Sequence, residues 1–158
     1  MKIAIGSDKS GFAVKEALKA YLAESGVEFD DLGTQDLDHV MPYYAVANKV
    51  APLVQQGEYD KAVLICGTGA GMSVVSNKFK GVYAVACEGV YSAKMARAIN
   101  NANILCMGGW IVGPEMAVEM VKTFLATEWC QDLEDWRKEN MKKFSAQVAA
   151  IEDAIYDK

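Results

Sequence analysis

The residues of this chain best suited to chemistry lie together at 65–71, Ile-Cys-Gly-Thr-Gly-Ala-Gly. Cys66 follows the apolar run Ala62-Val63-Leu64-Ile65, which reads as a buried strand. It precedes a segment from Met72 to Asn77 that reads as the start of a helix. Glycines at 67, 69 and 71 let the backbone bend sharply and expose its N–H groups. Amides fanned around such a turn favour an anion, or a negative oxygen formed during a reaction. A thiol beside them is a candidate base or nucleophile, because positive potential favours thiolate over the free-thiol pKa of about 8.5. Two other readings stand beside this one. A buried cysteine is often a small core residue. Gly67-x-Gly69 also begins a dinucleotide-binding pattern, with Glu88 near the spacing of the acidic ribose partner. The third glycine of that pattern would fall at Met72, and no Gly-Lys-Ser/Thr follows.

The elements that position this turn alternate regularly. Residues 2–5 read as a strand, and Val14, Leu18, Tyr21 and Leu22 mark one face of a helix over about 11–25, ended by Gly26. Strands are expected at 27–32, 61–66, 82–87 and 103–107. Helices are expected near 43–56, where Pro52 should kink or shorten the element, then at 72–78, 92–100 and from Pro114 onward. Strand–helix alternation with short connections implies a five-stranded parallel sheet covered by helices on both faces, a doubly wound, Rossmann-like α/β fold. Ligands in that architecture bind beyond the carboxyl ends of the strands. The segments after the first and third strands, 7–11 and 66–71, are therefore the expected site. At 132–158 a C-terminal extension carries Phe144, Val148, Ile151 and Ile155 at helical spacing. This stripe packs either on its own domain or on a second subunit.

A length of 158 residues suits one domain, and 52% hydrophobic with 23% charged residues suits a soluble one. A net charge of −5 argues against nucleic-acid binding. No apolar run approaches a membrane span, and the first residues lack the layout of a signal peptide. The four cysteines include no C-x-x-C pair, and His39 is the single histidine, so zinc ligation is poorly supported. Reduced thiols in a cytoplasm are expected. The only arginines are Arg97 and Arg137, which matters because arginine is the usual bidentate phosphate clamp.

Several segments occur together in order: Gly6-Ser7-Asp8, Asp31-Leu32-Gly33-Thr34, Cys66-Gly67-Thr68-Gly69-Ala70-Gly71-Met72, Asn77-Lys78, Tyr91-Ser92-Ala93, Arg97 and Asn100-Asn101-Ala102-Asn103. From residue 2 to about 126 the chain resembles the type B ribose-5-phosphate isomerases and their galactose-6-phosphate isomerase relatives. The resemblance implies an aldose–ketose isomerase without metal or other cofactor, acting on a small sugar or sugar phosphate. It also implies a dimer, or a dimer of dimers, whose sites draw on both subunits. Carried over, Cys66 would move a proton between C1 and C2 through an enediolate. Thr68 would shuttle a proton between O1 and O2, unless it only caps the next helix. The amides of Gly67, Gly69, Ala70 and Gly71 would hold the oxyanion. Asp8 and Asn100 would bind sugar hydroxyls, although Asp8 also suits a turn.

The chain departs from that pattern at specific places. Lys9 replaces the histidine of Ser-Asp-His, and Ile99 replaces the histidine that helps open a cyclic sugar. Trp110 replaces the arginine of Gly-x-Arg-x-x-Gly, and Tyr83 that of Gly-Ile-Arg. Tyr43 follows Met41-Pro42 where the family has Tyr-Pro-Asp, so Tyr43 or Tyr44 would take a substrate contact. Of the C-terminal basic segment, Arg137 alone would correspond. Each lost charge-assisted hydrogen bond removes about 1.5–3 kcal/mol, so phosphate binding should weaken, with Lys9 and Lys78 as partial substitutes. The expectation is an isomerase whose range has shifted from ribose 5-phosphate. The alternative is a non-catalytic sugar-binding or heteromeric subunit.

Overall fold

The computed structural model describes residues 1–157, so only Lys158 of the expected domain lies outside the description. Eleven elements follow one another: β1 (Lys2–Ser7), α1 (Phe12–Glu24), β2 (Glu28–Asp31), α2 (Tyr43–Gln55), β3 (Lys61–Cys66), α3 (Ala70–Ser76), β4 (Ala84–Ala86), α4 (Val90–Ala98), β5 (Ile104–Gly108), α5 (Pro114–Ala126) and α6 (Asp135–Tyr156). The five strands form one sheet in the order β2-β1-β3-β5-β4, and every pairing is parallel. The central strand β3 is buried along its whole length, which explains its unbroken apolar run, since a parallel sheet covered on both sides exposes neither face.

Alternation along the strands separates two cores. Ile3, Ile5, Val63, Ile65, Leu105 and Met107 point toward α1, α4 and α5, where Leu18, Ala96, Val121 and Phe124 meet them. Ala4, Ala62, Leu64, Ile104 and Cys106 point the other way, toward Val46 and Val50 of α2 and Met72 of α3. The edges are blunted, with charged Glu28, Asp30 and Asp31 on β2 and only three residues in β4.

Most element ends lie within two residues of the sequence-based expectation, and three differences have a visible cause. Pro52 neither ends nor shortens α2, which continues to Gln55, and the Gln56 N–H still bonds Pro52 O at 3.0 Å. The strand expected over 82–87 is reduced to Ala84–Ala86, and side chains take the amides where it starts. Asn103 Oδ1 accepts the Tyr83 N–H at 2.8 Å, and Asn77 Oδ1 accepts the Ala84 N–H at 2.9 Å. Helix α3 begins at Ala70 and not at 72, because Gly69 turns the chain at φ 78°, in the left-handed region that glycine enters without strain.

The C-terminal stripe does not pack on its own domain. No residue of α6 is buried, and Phe144, Ile151 and Ile155 are each more than half exposed. Polar contacts near its end tether the helix. Glu152 accepts the Gly81 N–H at 3.2 Å and the Tyr83 hydroxyl at 3.0 Å, and Lys80 pairs with Asp153 at 2.8 Å and Asp157 at 2.9 Å.

Candidate active site

The turns after β1, β3 and β5 converge at the carboxyl edge of the sheet. Main-chain bonds stitch them together: Asp8 N–H to Ile65 O at 3.2 Å, Gly109 N–H to Cys66 O at 2.7 Å, and Trp110 N–H to Gly67 O at 3.1 Å. Between them lies a cleft of about 320 Å³ lined by Asp8, Ser10, Tyr43, Cys66, Gly67, Thr68, Gly71 and Trp110. The position is that expected of a doubly wound sheet, next to the point where the chain changes direction between β1 and β3.

Cys66 ends β3 and is 5% exposed. Its Sγ accepts the Gly69 N–H at 3.2 Å. The first intrahelical bond of α3 runs from Ser73 N–H to Gly69 O. The amides of Ala70, Gly71 and Met72 therefore precede the helical ladder and have no intrahelical partner. No side chain caps this helix, which removes the capping role open to Thr68. Thr68 is exposed and lines the cleft. Met72, at the place of a third dinucleotide glycine, is wholly buried in the α2–α3 core.

Asp8 is both a turn residue and a cleft residue. Its Oδ1 accepts the N–H groups of Ser10 at 2.8 Å and Gly11 at 3.1 Å, leaving Oδ2 for the cleft. Burial pushes the carboxyl pKa up, and the two amides offset only part of that rise. Ser10 was not singled out from sequence, though the Asx-type turn begun by Asp8 is the signal that could have marked it. Tyr43 opens α2 and Trp110 follows β5. A Cβ on Gly71 would stand 2.8 Å from the Tyr43 ring, and one on Gly67 would stand 2.8 Å from the Trp110 ring. Each ring thus rests on a glycine of the thiol turn.

The remaining candidates lie elsewhere in the protomer. Lys9 is exposed and does not line the cleft. Gly69 and Ala70 form the turn beneath it. Asn100 and Ile99 line a separate groove of about 470 Å³ between the sheet edge and α6, with Tyr83, Trp129, Phe144 and Val148. Within the Asn-Asn-Ala-Asn segment, Asn101 adopts φ 51° and accepts Arg97 Nη1 at 3.0 Å, while Asn103 clamps Tyr83 and Gly81, so both serve the turn. Arg97 is buried and spent on Asn101 and the carbonyls of Ala102 and Thr127. Arg137, on α6, faces Glu134 and the Trp136 ring. Among the described residues no three His, Cys, Asp or Glu side chains cluster as ion ligands. All four cysteines are free and buried, and among the described residues no helix is long and apolar enough to cross a membrane.

Comparison with known proteins agrees with this fold. The family model described as Ribose/Galactose Isomerase matches residues 3–142. The chain is 52% identical, over its full length and 99% of the relative's, to 4-deoxy-4-sulfo-D-erythrose isomerase of Clostridium sp. (strain MSTE9). It is 44% identical to D-erythrulose-4-phosphate isomerase 2 of Mycolicibacterium smegmatis, over 82% of this chain and 86% of that one. Among solved structures, ribose-5-phosphate isomerase B of Clostridium thermocellum superposes with a TM-score of 0.85 at 35% identity, covering 98% of this chain and 99% of that one. With its parallel β2-β1-β3-β5-β4 sheet and this match over most of its length, the chain belongs to the ribose/galactose isomerase family, a family of sugar-phosphate aldose–ketose isomerases.

Proposed function

We propose that this protein interconverts a four-carbon aldose and ketose that carry an anionic group on C4, with Cys66 as the proton-transfer base. The observation that carries the reading is the placement of Cys66 Sγ against the Gly69 amide, in one cleft with Thr68 and Asp8. The thiolate takes the proton from C2 of the aldose. The C2 electron pair forms the C1–C2 double bond, and negative charge passes to O1, where the amides of Ala70 and Gly71 are the available donors. Thr68, able to donate and accept, passes the O2 proton to O1. The Cys66 thiol then returns its proton to C1, which yields the ketose and restores the thiolate. Asp8 Oδ2 is suited to accept a bond from a substrate hydroxyl.

The chain length follows from chemistry. An aldose whose C4 hydroxyl is esterified or replaced lacks the oxygen that closes a five-membered ring, so it is open-chain in solution. Such a substrate needs no ring-opening acid. That fits Ile99, which cannot transfer a proton, at the position where family resemblance puts a histidine. The relatives named for 4-deoxy-4-sulfo-D-erythrose and D-erythrulose 4-phosphate support the same class. The test is a panel of four- to six-carbon aldoses and ketoses, free, phosphorylated and sulfonated, incubated with the protein in deuterated water. Isomerisation with deuterium entering at C1 or C2, fastest for the four-carbon C4-anionic pair, is the expected result. Turnover of ribose 5-phosphate as efficient as that of the four-carbon substrates would sink the proposed range.

A further inference from the structure

Trp110 combines two properties seldom found together. Its backbone is fixed, because the N–H groups of Gly109 and Trp110 bond the carbonyls of Cys66 and Gly67 at 2.7 and 3.1 Å. Its ring lies against the face of Gly67, where an added Cβ would come within 2.9 Å of three ring atoms. Yet the residue is 74% exposed. The indole is therefore a rigid apolar wall whose outer face is left open beside the thiol. The rest of the lining adds no positive charge. Of its eight residues none is lysine, arginine or histidine, and the one formally charged side chain, Asp8, is acidic.

A wall of this kind discriminates by charge. The cost of moving an ion out of water grows with the square of its charge, so a dianion loses about four times what a monoanion does. Charge-assisted bonds normally offset that loss, and this cleft supplies none from a cation of its own protomer. A phosphate monoester carries about −1.5 to −2 at neutral pH, with a second pKa near 6. A sulfonate keeps a single charge throughout that range.

We propose that Trp110 is a specificity-determining residue that makes this cleft select a singly charged sulfonate over a doubly charged phosphate as the anionic group of its four-carbon substrate. The inference rests on the isomerase reading above and adds the identity of the head group.

The titratable groups facing the cleft are Asp8 from the turn after β1, Cys66 from β3 and Tyr43 from α2. The proton transfer they serve is the same reaction for both substrates, so a ratio of the two isolates the response to the head group. The ratio of kcat/KM for 4-deoxy-4-sulfoerythrose to that for erythrose 4-phosphate is therefore the measurement, taken from about pH 5.5 to about pH 8. The expected ratio exceeds about tenfold at the upper pH and shrinks as pH falls through about 6, where the phosphate becomes a monoanion. Trp110→Arg should lower KM for the phosphate by about tenfold or more with kcat little changed, because a guanidinium offers the bidentate fork. Trp110→Phe, which keeps an apolar ring, should retain the sulfonate preference.

Calorimetric binding of propane-1-sulfonate and propyl phosphate to the unmodified full-length protein decides the question independently of turnover. Tighter binding of the sulfonate at about pH 8 supports the inference. Equal or tighter binding of the phosphate, or a kinetic ratio that ignores both pH and Trp110→Arg, overturns it. Failure of the isomerase reading itself would look different, as absence of turnover with either substrate while the two probes still bind unequally.

Discussion

The backbone N–H of Gly69 donates to Cys66 Sγ at 3.2 Å, and this one contact joins the thiol to the turn that carries the proposed oxyanion donors. The contact holds the sulfur at the mouth of that turn, within the cleft. Cys66→Ser should lose about 10³-fold or more in kcat, because a serine hydroxyl is a far weaker base. Its far-UV circular dichroism should match wild type, since the change is close to isosteric. Deuterium exchange at C2 should vanish along with turnover. A serine variant within tenfold of wild type would remove Cys66 from the mechanism.

Below the first turn lies a second electrostatic feature. Lys15 is fully buried and paired with Asp31, which also accepts the Gly33 N–H at 3.1 Å and pairs with Lys19 at 3.1 Å. Burial alone would raise the Asp31 pKa, but Lys15, the Gly33 amide and Lys19 outweigh it and hold the carboxyl below its ordinary value. A depressed folded pKa contributes stability that is complete above the unfolded value, about pH 4, and is lost as pH falls through the lower folded value. Asp31→Ala strands a buried ammonium with only partly exposed Glu16, 2.8 Å away, to answer it. The expected cost at neutral pH is about 3 kcal/mol, read from urea unfolding. The wild-type advantage over the variant should shrink toward strongly acid pH. A constant difference across the whole range would show that the pair stabilises by packing and not by charge.

Helix α6 buries nothing in its own protomer, yet it holds Phe144, Ile151 and Ile155 in one exposed row. An apolar face of this kind is expected to meet a second copy of the chain. Phe144→Asp combined with Ile151→Asp should convert a dimer into a monomer in sedimentation velocity while the helical circular dichroism of the sheet domain persists. If each site draws on both subunits, activity should fall with the dimer and return as protein concentration rises. A doubly substituted protein that stays dimeric would place the contact elsewhere.

Much of this molecule was legible from residue order. The apolar run 61–66, the helical period of Val14, Leu18 and Leu22, and the Cys-Gly-Thr-Gly-Ala-Gly turn are local patterns. Local patterns are read directly because strand and helix each impose their own repeat on what is buried. The convergence of the turns after β1 and β3 also followed, since a parallel, doubly wound sheet puts both turns at one edge. Other features depended on contacts between residues far apart in sequence. Asn103 takes the Tyr83 amide just before β4, 20 residues away. Arg97, a nominal anion ligand, proved committed to carbonyls of a neighbouring turn. Whether the 144–155 stripe packs inward could not be read from its period, which is the same in either case. Only the tertiary arrangement leaves it open, because α1 to α5 already cover both faces of the sheet. In the same way the sequence named Trp110 and Gly67 separately, and folding set the indole against the glycine, because main-chain bonds between two turns fix their separation.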